Sequence, residues 1–463
     1  MIRVYRKNAW EQYDEKEMAA LTAFGEGYRA FLNEGKTERE CVIKGVELAE
    51  KAGFRSLESF VSAGETLKAG DRVYVAWMGK DLMAFVIGSK PMECGMNILG
   101  AHIDSPRIDV KQNPLYEDEH LAYLDTHYYG GIKKYQWVAM PLALHGTVVK
   151  KSGEAVRVCI GEKDDDPVFC ISDLLIHLSG EQMNKTARDV IEGESLNLIV
   201  GSMPLKGEEK DSVKKSVLKL LEEKYGMEEE DFISAELEIV PAGKARDMGL
   251  DRSMILGYGH DDRVCAYPSL MAVLDYEGVP EKTLCAILTD KEEIGSVGAS
   301  GMNSHFFENV CAEILAASGC TSELVLRRML RNSSMLSSDV SAGFDPNFAS
   351  VFEKKNAALL GYGICFNKYT GSRGKSGSND TNAEFVAVVR RIMDEAGVDF
   401  QTSEIGKVDA GGGGTIAYMC AKYGMNVMDA GIPVLSMHAP FEVVSKADLW
   451  EAYKCYLAFL KKA

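Results

Sequence analysis

A chain of 463 residues with a formal charge of −17 is too long for one ordinary hydrophobic core, and too acidic to seek nucleic acid or an anionic membrane. Hydrophobic content of 46% and charged content of 26% are those of a soluble globular protein, and no apolar run is long enough to span a bilayer. The opening MIRVYRKNAWEQYDEKEM has neither an apolar core nor a small-residue cleavage site, so no signal peptide is expected. Eleven cysteines, scattered singly with no Cys-x-x-Cys, suit a reducing cytoplasm and leave any metal to His and carboxylate ligands.

In chain order, residues 10–35 carry Ala, Leu and Phe at helical spacing, and Thr37 to Glu40 form a capping box that opens a second helix through Ala52. RVYVAWM and LMAFVIG flank a Gly79-Lys80-Asp81 turn and predict a hairpin. MNILGAHIDSPRIDV is a buried strand running into His102-Ile103-Asp104. From about Pro114 the pattern turns β-rich, with a hairpin about Lys150 to Glu154 and one amphipathic helix from Val213 to Tyr225. A run this long without strand-helix alternation fits poorly in an α/β sheet, so 109–242 is read as an inserted β-rich domain. Residues 1–108 and 243–463 then form one discontinuous α/β catalytic domain. Alternation returns at about Ala235 with AELEIVPAG, the helix AYPSLMAVLDYEG and the run LCAILT; it continues through AALLGYGICF, DFQTSEIG and GIPVLSM. The domain is expected to hold a mostly parallel sheet flanked by helices.

Leu284, Ala286, Ile287 and Leu288 do not alternate with polar residues, so they predict a strand buried on both faces. That strand stops at Asp290, Lys291, Glu292 and Glu293, and adjacent carboxylates at the end of a buried strand are costly unless something cationic neutralises them. The same placement, where a structured run gives way to loop, recurs at His102, at Asp261-Asp262, at Asp339 in MLSSDVSAG, and at His438 after GIPVLSM. Imidazole and carboxylate together suit zinc, and two ions about 3.5–4 Å apart can share a bridging carboxylate. The Glu beside a ligand Glu is then a general base. Asp104 is spaced to take the other ring N–H of His102 and fix its tautomer.

GAHIDSP, the Asp-Asp before a helix, DKEEIGS, SSDVSAG, DAGGGGT and MHAPFE resemble, in that order, the motifs of the aspartyl aminopeptidase family over nearly the whole chain. The resemblance implies a di-zinc metallo-aminopeptidase (Co2+ or Mn2+ substituting), with the inserted domain serving dimerisation and the dimers assembled as a tetrahedral dodecamer. By position, His102, Asp261 and Asp339 would hold one ion and Asp261, Glu293 and His438 the other. Glu292 would be the base and Asp104 its partner through His102. DLLIHLSG matches a motif whose histidine, here His177, enters a neighbouring subunit's site. The side chain reading an acidic first residue would be Lys368, Arg373 or Lys375, all in the loop FNKYTGSRGKSGSND. Ala342 and Asp345 stand where other members carry histidines. The implied function is removal of an amino-terminal residue, Asp or Glu by the family's habit, from short peptides in the cytoplasm. The rival reading is another di-zinc exopeptidase or amidohydrolase of similar fold.

Overall fold

A computed structural model describes residues 7–463; the first six positions, part of the opening stretch read for a signal peptide, lie outside the described residues. The early helices arise where the apolar spacing and the Thr37 cap predict. Asp14 caps Glu15–Glu34 by accepting from the Glu17 amide, and the Thr37 hydroxyl accepts from the Glu40 amide to open Glu38–Lys51. The Glu40 carboxylate reaches back to the Lys36 amide, one residue before the cap, at 3.1 Å. The hairpin pairs Arg72–Trp77 with Asp81–Val86. Among the described residues no helix is long and apolar enough to cross a membrane.

Two compact units are present. The first takes the residues up to Asp104, Ala245–Met437 and Glu442–Ala463; the second takes Ser105–Lys244 and His438–Phe441. The break falls at Ser105, short of the expected 109, because the strand Arg107–Asp118 pairs only with strands of the second unit.

In the first unit a nine-stranded sheet has four parallel strands at its centre: Thr283–Thr289, Met96–His102, Ser334–Ser337 and Asn426–Gly431. Antiparallel strands flank them, Asp81–Val86 on one side and Ile364–Asn367 on the other. Tyr28, Phe31, Leu270, Val389 and Phe459 belong to the core on one face, and Phe306, Phe307, Ile314, Met329 and Cys420 to the core on the other. Strands covered on both faces need no polar alternation, which is why every residue of Thr283–Thr289 and Met96–His102 is buried. A small five-stranded sheet in the same unit brings Glu442–Ser445 beside Met254–Gly257 and Pro433–Leu435.

The second unit is a six-stranded sheet in which every pairing is antiparallel, with the helix Ser212–Tyr225 packed on it. Two readings of the sequence change here. AELEIVPAG belongs to this sheet, paired with Leu142–Val149, and does not restart the α/β alternation. GIPVLSM is not the last strand of the main sheet: that strand is Asn426–Gly431, and Pro433–Leu435 turns off into the small sheet.

Candidate metal centre

The parallel strands end on one side of the first unit, and the acidic residues gather there. His102 is the last residue of its strand and only 1% exposed. Its Nδ1 lies 3.1 Å from the Asp104 carbonyl oxygen and 3.3 Å from the Asp104 carboxylate, so Nδ1 is the donor to Asp104 and Nε2 is the nitrogen a metal would take. Nε2 faces Asp261 Oδ1 at 3.2 Å and Asp339 Oδ1 at 4.0 Å. Burial alone would lower the pKa of His102; Asp104 and Asp261 outweigh it, and the net shift is upward.

Asp261 and Asp262 open the helix His260–Leu274 with non-helical backbone, so their side chains turn away from the helix ladder. The Asp261 amide donates to Glu442 at 3.0 Å, and the His102 amide to Asp262 Oδ2 at 3.4 Å. Burial, with neighbouring carboxylates adding to it, pushes Asp262 and Asp339 well above the usual carboxylate range. Asp262 Oδ1 is buried with no hydrogen-bond partner among the described residues. Glu292 and Glu293 form a short turn after the central strand, and both are half-buried. Their amides donate to the two oxygens of Asp104 at 3.1 and 3.2 Å, so Asp104 holds the turn as well as the imidazole.

Three overlapping groups bring their ligand atoms within metal-binding reach: His102, Asp261 and Glu293; His102, Glu292 and Asp339; Asp261, Asp262 and Asp339. Carboxylates this concentrated around one imidazole, with their pKa values forced up, are what a divalent cation relieves, so the donor set fits zinc. Asp262 joins the cluster without having been expected as a ligand, and its adjacency to Asp261 is the only signal the sequence offers for it. Glu442 is visible there only as the end of MHAPFE.

The remaining candidates are in none of these groups. His438 belongs to the second unit; its Nδ1 donates to the Gly131 carbonyl at 2.9 Å, which again leaves the lone pair on Nε2. His177 sits on an exposed single turn between Ile176, 70% exposed, and Leu178, 68% exposed. Lys368 and Lys375 both pair with Asp380, at 2.6 and 2.9 Å, and Lys375 also lies over the Tyr369 ring. Arg373 is exposed and makes no ion pair among the described residues.

An oxygen-rich donor set with an imidazole, at the carboxyl ends of a parallel sheet, defines a metal-binding protein of the α/β class. The family model described as aminopeptidase I zinc metalloprotease (M18) matches residues 31–460. The chain belongs to this M18 family of zinc aminopeptidases. It is 59% identical over 455 residues to a probable M18 family aminopeptidase 1 of Clostridium acetobutylicum, covering 98% of each chain. The crystal structure of an M18 aminopeptidase from Thermotoga maritima matches with a TM-score of 0.94 at 45% identity, covering 99% of this chain and 100% of that one. The S. cerevisiae mApe1 dodecamer matches at 22% identity with a TM-score of 0.76, over 94% of this chain and 96% of that one, a likeness of fold alone.

Proposed function

We propose that the cluster around His102 is the catalytic centre of this aminopeptidase, that it takes two Zn2+ per subunit, and that Glu292 is its general base. The observation carrying this is the overlap of three ligand groups: His102, Asp261 and Asp339 each belong to two of them, and half-buried Glu292 to one. His102, Asp261 and Asp339 would hold one ion, and Asp261, Glu293 and His438 the other, with Asp261 common to both. Bound zinc supplies Lewis acidity to the substrate carbonyl and makes nearby water more acidic. Glu292 takes the proton from the attacking water and returns it to the leaving amine. Asp104 keeps the proton on Nδ1 of His102, so that Nε2 stays a ligand, and fixes the direction of Glu292 through its amide.

The substrates are short peptides with a free amino terminus. Exposed Leu174, Leu175, Ile176 and Leu178 around His177 form a surface that a second copy of the chain would cover, in keeping with a homo-oligomer built from dimers through residues 109–242 and closed as a tetrahedral dodecamer. His177 then acts in a neighbouring subunit's site. All eleven cysteines are free, which fits the cytoplasm. Glu292→Gln tests the central assignment: kcat should fall by at least about a thousandfold at unchanged zinc content, and a variant within about tenfold of the parent would remove Glu292 from the role.

A further inference from the structure

Four consecutive amides lead into the turn that carries Glu292 and Glu293, and each donates to a carboxyl group. The Asp290 N–H donates to Asp81 Oδ1 at 3.0 Å, and the Lys291 N–H to Oδ1 of Asp290 at 2.8 Å. The Glu292 and Glu293 amides go to Asp104 at 3.1 and 3.2 Å. Asp81 Oδ1 also accepts from the Thr289 hydroxyl at 3.1 Å, and Asp290 Oδ2 from the Ser300 hydroxyl at 2.7 Å. Asp81, Asp104 and Asp290 are each 1% exposed or less.

This ladder needs an origin outside the turn. Lys291 has a φ of +66°, a conformation that a lysine adopts only when something holds it. Asp81 comes from the hairpin strand that pairs antiparallel with the central strand. Leu82 faces Leu288 there, which puts Asp81 level with Thr289. A buried carboxyl group beginning the otherwise apolar Asp81–Val86 is a poor choice for packing alone, since a hydrophobic residue would be cheaper to bury.

We propose that Asp81 is a positioning residue for the reaction: its carboxyl group fixes the strand end at Thr289–Asp290, and thereby the direction in which Glu292 and Glu293 leave the sheet. The inference rests on the reading of Glu292 as base and Glu293 as ligand. Burial, with Asp290 and Asp104 adding to it, pushes the pKa of Asp81 up to about 8, so a neutral group of the same shape can accept the same bonds.

The test uses the zinc-loaded enzyme on an amino-acid chromogenic amide, with zinc retention measured separately by competition with a chelator. Asp81→Ala should lower kcat at least tenfold with KM within twofold, and should lose zinc at several-fold lower chelator concentration. Asp81→Asn should stay within threefold of the parent in both. Parent-like kcat and zinc retention in Asp81→Ala, or equal damage in the Asn variant, would overturn the proposal. Glu292→Gln separates the two ideas: if it stays active, the base assignment fails and zinc retention still reads Asp81; if it is dead while Asp81→Ala is not, positioning alone fails. Should Asp81→Ala not fold, Thr289→Val removes the hydroxyl that donates to Asp81. A drop in kcat at constant KM supports the proposal, and parent values overturn it.

Discussion

Replacing Asp104 with Asn tests how much of the centre hangs on one carboxylate. Asp104 gives one oxygen to the Glu292 amide and to the His102 ring, and the other to the Glu293 amide. An Asn of the same shape keeps one acceptor and turns an NH2 toward the second donor, so one buried amide loses its partner and meets another donor. A buried donor left unsatisfied costs about 1–3 kcal/mol. If that cost falls on the geometry of the Glu292–Glu293 turn, it corresponds to roughly a 5- to 150-fold loss in zinc affinity or in kcat. Chelator competition reads the affinity, and kcat at saturating zinc reads what remains when the site is full. A fall in either, beyond the change in thermal stability, is the expected result. An Asp104→Asn enzyme with the parent's zinc affinity and kcat would show that the Asp104 carboxylate holds neither the imidazole nor the turn.

Further outcomes follow from other residues. Asp261→Asn leaves a poorer ligand where two groups overlap, so elemental analysis should find fewer than two zinc ions per chain; two would argue against the shared role. Arg373→Ala should depress hydrolysis of Asp and Glu amides more than of Leu or Ala amides, whereas Lys368→Ala and Lys375→Ala should not, because both lysines are already paired with Asp380; equal losses across substrates would reject this. Subunit exchange between inactive His177→Phe and Glu292→Gln enzymes should restore activity if His177 serves a neighbouring site, and proven exchange without recovery would confine it to its own chain. Burial pushes the folded pKa of Asp448 up from 3.8 to about 8, so the folded state holds that proton longer than the unfolded one. The stability this contributes is full below about pH 4 and lost as pH rises to about 8, and Asp448→Asn should flatten the fall in stability between about pH 5 and 8 seen by denaturant unfolding. An unchanged slope would assign it to other groups.

Much of this protein is written locally. The unbroken apolar run Leu284–Leu288 specifies a strand buried on both faces, because only such a strand can do without polar alternation. Thr37 and Asn382 mark helix starts through their own side chains, each accepting from an amide three residues on. The candidate ligands are legible for a related reason: a His or carboxylate where a buried strand ends needs a partner, and His102, Glu292, Glu293 and Asp339 stand out in that way, while Asp261 stands out just before a helix. Tertiary structure decided what depends on distant partners. GIPVLSM reads as the last strand of the main sheet, yet Asn426–Gly431 takes that place beside Ser334–Ser337 while Pro433–Leu435 joins Ser341–Ala342. AELEIVPAG looks like any α/β strand until Leu142–Val149 claims it. Asp81, read as part of a hairpin turn, is buried against a strand end more than two hundred residues away, and only the pairing of the two strands brings its carboxyl group to the Asp290 amide.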